Sequence, residues 1–90
     1  MTLLCDIYKS SRKQEMYLYV DHARGLQDVP DTLMSGFGEP ELVMTMALTR
    51  ERRLARADVG EVLDNISQNG FYLQMPPTTA ELLARDGQHE

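Results

Sequence analysis

The sequence predicts an α+β fold of the three-layer sandwich type, in which a small central mixed sheet of about four strands is flanked by about three helices. The predicted order of elements is β-β-α-β-α-β-α. Apolar residues alternate in some segments and recur every third or fourth position in others, with polar, glycine or proline breaks between them. The 90 residues, 42% of them hydrophobic, fit a single domain over 1–90 with a frayed tail from about residue 86.

Four segments carry the period of two that is typical of strands. Segments 3–9 and 16–20 are separated by a short polar stretch, which predicts a hairpin. Segment 41–49 is apolar on both faces, and this pattern favours a central strand covered on two sides. Segment 71–75 predicts a last short strand. If the middle helices are crossovers, the last three strands run parallel and the first runs antiparallel to them. The loops after the second and third strands then share one end of the sheet, which brings Arg24 near Arg50 to Arg56.

Helix boundaries are marked by capping residues. Asp28 and Pro30 are suited to the start of a first helix, which ends where Gly36 and Gly38 allow the chain to turn. Asp58 and Glu61 resemble a capping box for a second helix that ends before Gly70. A further capping box, Thr78 with Glu81, predicts a short third helix that carries Leu82 and Leu83.

Composition excludes several classes of protein. The formal net charge of −5 argues against broad coating of DNA or RNA, so we expect no DNA partner. No apolar stretch is long enough to span a bilayer, and no secretory leader is recognisable, so we expect a cytoplasmic protein with no membrane partner. Cys5 is the single cysteine, which excludes an intrachain disulfide.

Four segments in order resemble the YcgL family of bacterial proteins. They are Ile7-Tyr8-Lys9-Ser10-Ser11, Tyr17-Leu18-Tyr19-Val20, Leu33-Met34-Ser35-Gly36-Phe37-Gly38-Glu39-Pro40 and Phe71-Tyr72-Leu73-Gln74-Met75-Pro76-Pro77. The resemblance implies a small domain with helices flanking a central sheet, and it brings no catalytic residues with it. Family members are often encoded near the exoribonuclease ribonuclease D, which is a hint toward RNA metabolism.

No pattern in the chain predicts catalysis or metal binding. Cys5, His22 and His89 are isolated in sequence, and no nucleophile motif surrounds any serine. We therefore expect no catalytic residues, no metal and no cofactor, and we interpret His22 as a solvated loop residue. The methionines of segment 41–49 are interpreted as core residues.

The candidate binding residues are arginines. They are Arg24, Arg50, Arg52, Arg53 and Arg56. Guanidinium groups bind phosphates and carboxylates in bidentate fashion, although such a run can also be only a solvated surface. We expect a non-enzymatic interaction or adaptor domain that uses these residues. The alternative is an accessory factor or small enzyme of RNA metabolism that binds RNA through the arginine-rich loop. A homodimer formed through a sheet edge or a tyrosine face is a third possibility, and the sequence leaves the partner and oligomeric state open.

Overall fold

The computed structural model describes residues 2–54 and 57–76. Within these residues the chain forms a four-stranded sheet and two helices. In chain order the elements are β1 (Leu3–Lys9), β2 (Tyr17–Asp21), α1 (Asp31–Phe37), β3 (Glu41–Leu48), α2 (Val59–Asn69) and β4 (Phe71–Gln74). The predicted third helix lies outside the described residues.

The sheet has the strand order β3-β1-β2-β4, and every neighbouring pair is antiparallel. The predicted mixed sheet is therefore wrong. Strands β2 and β3 do run in the same direction, but β1 lies between them. The segment that contains α2 carries the chain from one edge of the sheet to the other, where β4 pairs antiparallel with β2. Because β4 is antiparallel to β2, it also runs opposite to β3, so the connection through α2 is not a crossover between parallel strands.

Strand β3 is an edge strand, and the prediction that it is central and covered on both sides is wrong. It pairs with β1 along one side, from Leu3 opposite Leu48 to Lys9 opposite Glu41. The register shifts between Ile7 and Tyr8, and the additional residue on β3 at this bulge is Val43. Residues 41–45 are all exposed.

The core consists of two clusters on opposite faces of the sheet. Cys5, Ile7 and Tyr19 pack with α2, whereas the next positions along the strands, Leu18 and Val20, pack with α1. On the α1 side the cluster is completed by Met16, Val29 and Phe37. On the α2 side it is completed by Leu48, Val59, Val62 and Ile66. Alternation in β1 and β2 thus divides apolar side chains between the two helices.

The predicted start is correct for α2 and wrong for α1. Asp58 caps α2, where its side chain accepts a hydrogen bond from the Gly60 N–H, and Gly70 ends the helix in the left-handed conformation. The predicted cap of α1 by Asp28 is wrong. Its N-cap residue is Pro30, which makes no side-chain capping hydrogen bond, and the Asp28 carboxylate instead accepts a hydrogen bond from Arg24.

Candidate functional site

Two predicted arginines line one cavity at the end of the sheet. Arg24 and Arg50 lie on the wall of a cavity of about 380 Å³. The remaining lining residues are Thr2, Leu3, Asp21, Leu63, Asp64, Ile66 and Ser67. The cavity therefore has an apolar floor from α2 and β1 and a charged rim that carries both signs.

The sheet topology explains why these arginines meet. Strands β2 and β3 are both antiparallel to β1, with Cys5 opposite Asp21 and Leu3 opposite Leu48. The two strands therefore end at the same end of the sheet, and the loops that follow them begin side by side. This shared end was expected from the sequence, although for a sheet in which the last strand also ran parallel to β2 and β3.

Both cavity arginines are engaged by carboxylates. Arg24 binds Asp28 in bidentate fashion, with its Nε and Nη2 atoms at 2.5 and 2.9 Å from the two carboxylate oxygens. The hydrogen bond from Arg24 lowers the pKa of Asp28. Arg50 Nη2 lies 2.9 Å from Asp64 Oδ1 on α2. All of these groups are partly or largely exposed, so the pairs are exchangeable surface interactions of low energy.

Arg52 and Arg53 extend the basic surface beyond the cavity. Both are exposed in the loop after β3, where the Arg52 N–H donates to the Thr49 carbonyl at 3.1 Å and closes a turn. Within residues 2–54 and 57–76, neither side chain forms an ion pair. Arg56, the fifth candidate, lies outside the described residues. We call Arg24, Arg50, Arg52 and Arg53 the arginine surface.

A second basic group lies at the opposite end of the sheet. Lys9 ends β1, where its Nζ atom is 3.5 Å from Glu41, and Arg12 and Lys13 follow in the turn to β2. The structure does not bring this group to the arginine surface. The two groups can therefore be tested separately.

The sequence analysis missed a polar cluster around Asp6. This carboxylate is buried in β1, where its Oδ1 atom accepts a hydrogen bond from Thr45 Oγ1 at 2.6 Å and lies 2.8 Å from His22 Nδ1. Burial alone raises the pKa of Asp6, but the hydrogen bonds from Thr45 and His22 and the charge of His22 outweigh it, so the pKa is lowered. One signal was visible in the sequence, a carboxylate between Cys5 and Ile7 in an apolar strand.

This cluster orients an imidazole but encloses no substrate. The His22 side chain is about half exposed, and it is not among the lining residues of the cavity that holds Arg24 and Arg50. An aspartate that holds Nδ1 is also found in catalytic triads, yet a nucleophile must then face Nε2. The arrangement here links β1, β3 and the loop after β2, and we assign it to structure.

The tyrosines of the sheet are engaged with one another and with neighbouring side chains. The ring centroids of Tyr19 and Tyr72 lie 5.7 Å apart in an edge-to-face arrangement. Tyr19 is buried and donates its hydroxyl hydrogen bond to Gln74 Oε1 at 3.0 Å. Tyr19 is therefore not available as a stacking surface for a nucleic-acid base.

Comparison with known proteins identifies the family. A family model described as the YcgL domain matches residues 5–77. The chain belongs to the YcgL family. It is 52% identical over 83 residues to a YcgL domain-containing protein of Pseudomonas aeruginosa, with 92% of this chain and 86% of the relative covered. It is 51% identical to a YcgL domain-containing protein of Stutzerimonas stutzeri, with the same shares of both chains covered. The names of these relatives give the domain and no activity.

The segments that resemble the YcgL family contain residues that hold the fold together. Ser10 Oγ donates to the Phe37 carbonyl at 2.5 Å and accepts from the N–H groups of Arg12 and Lys13, so it ties the β1–β2 turn to the end of α1. Phe37 is fully buried. Gln74, from the last segment, binds Tyr19 from the second. In this chain, Ser10, Phe37 and Gln74 therefore contribute to turn structure and packing.

Among the residues that the structure describes, no group of three or more His, Cys, Asp or Glu side chains is placed to hold a metal ion. Neither of the described helices is long and apolar enough to cross a membrane.

Proposed function

We propose that this protein is a non-enzymatic interaction or adaptor domain of the bacterial cytoplasm, which binds an acidic segment of a protein partner through the arginine surface. The observation that carries the proposal is that Arg24 and Arg50, from separate loops, line one cavity with apolar walls. Such a cavity takes an apolar anchor, while arginines around it bind carboxylates in bidentate fashion. Arg56 is proposed as a further member of the surface.

The charges around the cavity favour a protein partner over RNA. Arg24 and Arg50 are each bound to a carboxylate, and Asp21 adds another negative group to the lining. A mixed rim of this kind suits a partner that exchanges individual ion pairs, whereas a polyanion gains most from a uniformly basic groove. Tyr19 is buried against Tyr72 and offers no ring face on which a base could stack, which also favours a protein partner over RNA.

We also propose that residues 1–90 form one domain, with a third helix that begins near Thr78 and completes a three-layer sandwich. Its support is the capping pair Thr78 and Glu81 followed by Leu82 and Leu83. Backbone chemical shifts of the full chain test this directly. Helical shifts are expected after Thr78, and random-coil shifts there would contradict it.

The experiment for the interaction is a pull-down with the tagged full chain from lysate of the native bacterium, with and without ribonuclease. The test variant carries Arg52→Glu and Arg53→Glu. The matched control carries Arg12→Glu and Lys13→Glu, which change the charge equally at the opposite end of the sheet. We expect the wild type and the control to capture the same partner proteins with and without ribonuclease. The test variant should lose these proteins.

Three results would contradict the proposal. Equal capture by the test variant and the wild type would show that the arginine surface is not the contact. Equal loss from the test variant and the control would show a response to net charge alone. Release of the captured material by ribonuclease would favour the alternative, an RNA-metabolism factor that binds RNA through the same loop.

A further inference from the structure

Strand β3 presents the longer of the two open edges of the sheet. It has eight residues and pairs only with β1. The opposite edge, β4, has four residues. Along the outer side of β3, no backbone hydrogen bond joins it to another described segment. Backbone N–H and C=O groups in such a row form a template for a further strand.

The same edge is apolar on both faces. Leu42, Val43 and Met44 are exposed at 53%, 47% and 46%, and Leu4 on the neighbouring strand is exposed at 48%. Leu42 lies opposite Tyr8 on the α1 face, whereas Met44 lies opposite Ile7 on the α2 face. Only Met75, among the other described residues, belongs to the same group of large exposed apolar side chains. Exposed apolar side chains concentrated along an open edge are typical of an interaction surface.

We propose that the edge of β3 binds a second copy of this chain, so that the two β3 strands pair antiparallel about a two-fold axis. The charges at its ends favour this occupant. Glu41 begins the strand and lies 3.5 Å from Lys9, and Arg50 follows its end and lies 2.9 Å from Asp64. Both side chains are more than half exposed, so these weak surface pairs can exchange partners on association. Antiparallel pairing places Glu41 of each copy beside the strand end that carries Arg50 in the other.

The side-chain pattern of β3 is compatible with this symmetry. A two-fold axis perpendicular to the sheet at Thr45 places Met44 of one copy beside Met46 of the other on the α2 face. The α1 faces of both copies then lie on the same side of the joined sheet. Because the contact is isologous, it closes after two copies, and only the short β4 edges remain open.

An interface made from one strand of each copy is small, so the dimer should form in a concentration-dependent manner. Sedimentation velocity of the full chain at increasing concentration is the direct measurement. We expect the mass to rise from that of the 10.2 kDa monomer toward twice that value. A constant monomer mass up to millimolar concentration would overturn the proposal.

Variants locate the interface. Met44→Lys and Leu42→Lys each place a charge on the open edge, on opposite faces, and both should remain monomeric with unchanged circular dichroism. Met75→Lys is the matched control, because it makes the same change at an equally exposed methionine that follows β4. Dimerisation of both β3 variants at wild-type concentration, or loss in the Met75 variant alone, would contradict the proposal.

Exchanging the charges at Glu41 and Arg50 distinguishes binding of a second copy of this chain from binding of a strand of a different protein. Glu41→Arg alone and Arg50→Glu alone should each weaken the dimer by about tenfold, because each places like charges across the interface. The double variant should regain wild-type association, since the exchanged charges again face each other. No recovery would exclude the two-fold pairing. Arg50 belongs to the arginine surface, whereas Glu41→Arg leaves all four arginines of that surface unchanged, so the Glu41→Arg result is independent of the pull-down.

Discussion

Asp6 Oδ1 lies 2.8 Å from His22 Nδ1, so a buried carboxylate of β1 holds an imidazole that belongs to the loop after β2. The same oxygen accepts the Thr45 hydroxyl of β3. The Asp6 carboxylate therefore joins β1, β3 and the loop after β2. This contact also fixes the start of the loop that carries Arg24, and it lies beside the exposed edge of β3.

Asp6 should make stability depend on pH on the acid side. Its pKa is lowered in the folded state from the ordinary value of 3.8. The stabilisation is therefore fully present above that value and is lost as the pH falls below it through the folded pKa. We expect the free energy of unfolding, measured by urea titration between pH 6 and pH 2.5, to fall more steeply in the wild type than in Asp6→Asn.

Two variants control this measurement. Asp28→Asn removes a carboxylate whose pKa is also lowered, but that carboxylate lies in a surface pair with Arg24. The loss of unfolding free energy at acid pH should therefore change less in Asp28→Asn than in Asp6→Asn. Thr45→Val should cost roughly 1–2 kcal/mol at neutral pH, because a hydrogen bond to a charged group is lost. If the free energy of unfolding of Asp6→Asn falls with decreasing pH as steeply as that of the wild type, the lowered pKa assigned to Asp6 is contradicted.

Cys5 should be chemically inert in the folded protein. Its side chain is fully buried, and burial raises the pKa of its thiol to about 12. The thiolate is the reactive form, so almost none is present at pH 8. We expect a disulfide reagent at pH 8 to label Cys5 no faster than the protein unfolds, and to label it at once in 6 M guanidinium. Rapid labelling without denaturant would contradict the burial of this thiol.

Two glycines of the helices should respond in opposite ways to alanine. Gly70 has φ 90°, and a Cβ there would lie 2.4 Å from Asp28 Cβ, so Gly70→Ala should destabilise the fold by about 1–3 kcal/mol. Gly36 lies within α1 with nothing within 4 Å of the added atom. Gly36→Ala should therefore stabilise the fold by about 0.4–1 kcal/mol. Urea unfolding of both variants tests the pair, and a stabilising Gly70→Ala would contradict the left-handed helix end.

Local signals in the sequence predicted local structure well. Asp58 and Gly70 delimit α2 as expected, because a cap and a left-handed turn depend on a few neighbouring residues. The hairpin of β1 and β2 was equally accessible from alternation and a polar turn. The family resemblance, which combined several short segments, is confirmed by the YcgL domain match.

Long-range placement was not accessible from the same signals. An apolar strand such as β3 has one pattern whether it is central or exposed at an edge, and only the position of β1 between β2 and β3 decides the matter. Asp6 was overlooked because its partners, His22 and Thr45, come from distant positions in the chain. Arg24 and Arg50 were expected at one end because this required only that β2 and β3 run in the same direction.

The placement of β3 at the edge can be tested by comparing two leucines. Leu18 of β2 is fully buried beneath α1, so Leu18→Ala should lower the free energy of unfolding by roughly 2–5 kcal/mol. Leu42 of β3 is 53% exposed, so Leu42→Ala should change it by no more than about 0.5 kcal/mol. Urea unfolding at low micromolar protein concentration excludes a contribution from association. A loss for Leu42→Ala as large as that for Leu18→Ala would mean that β3 is covered on both faces, as the sequence pattern alone suggested.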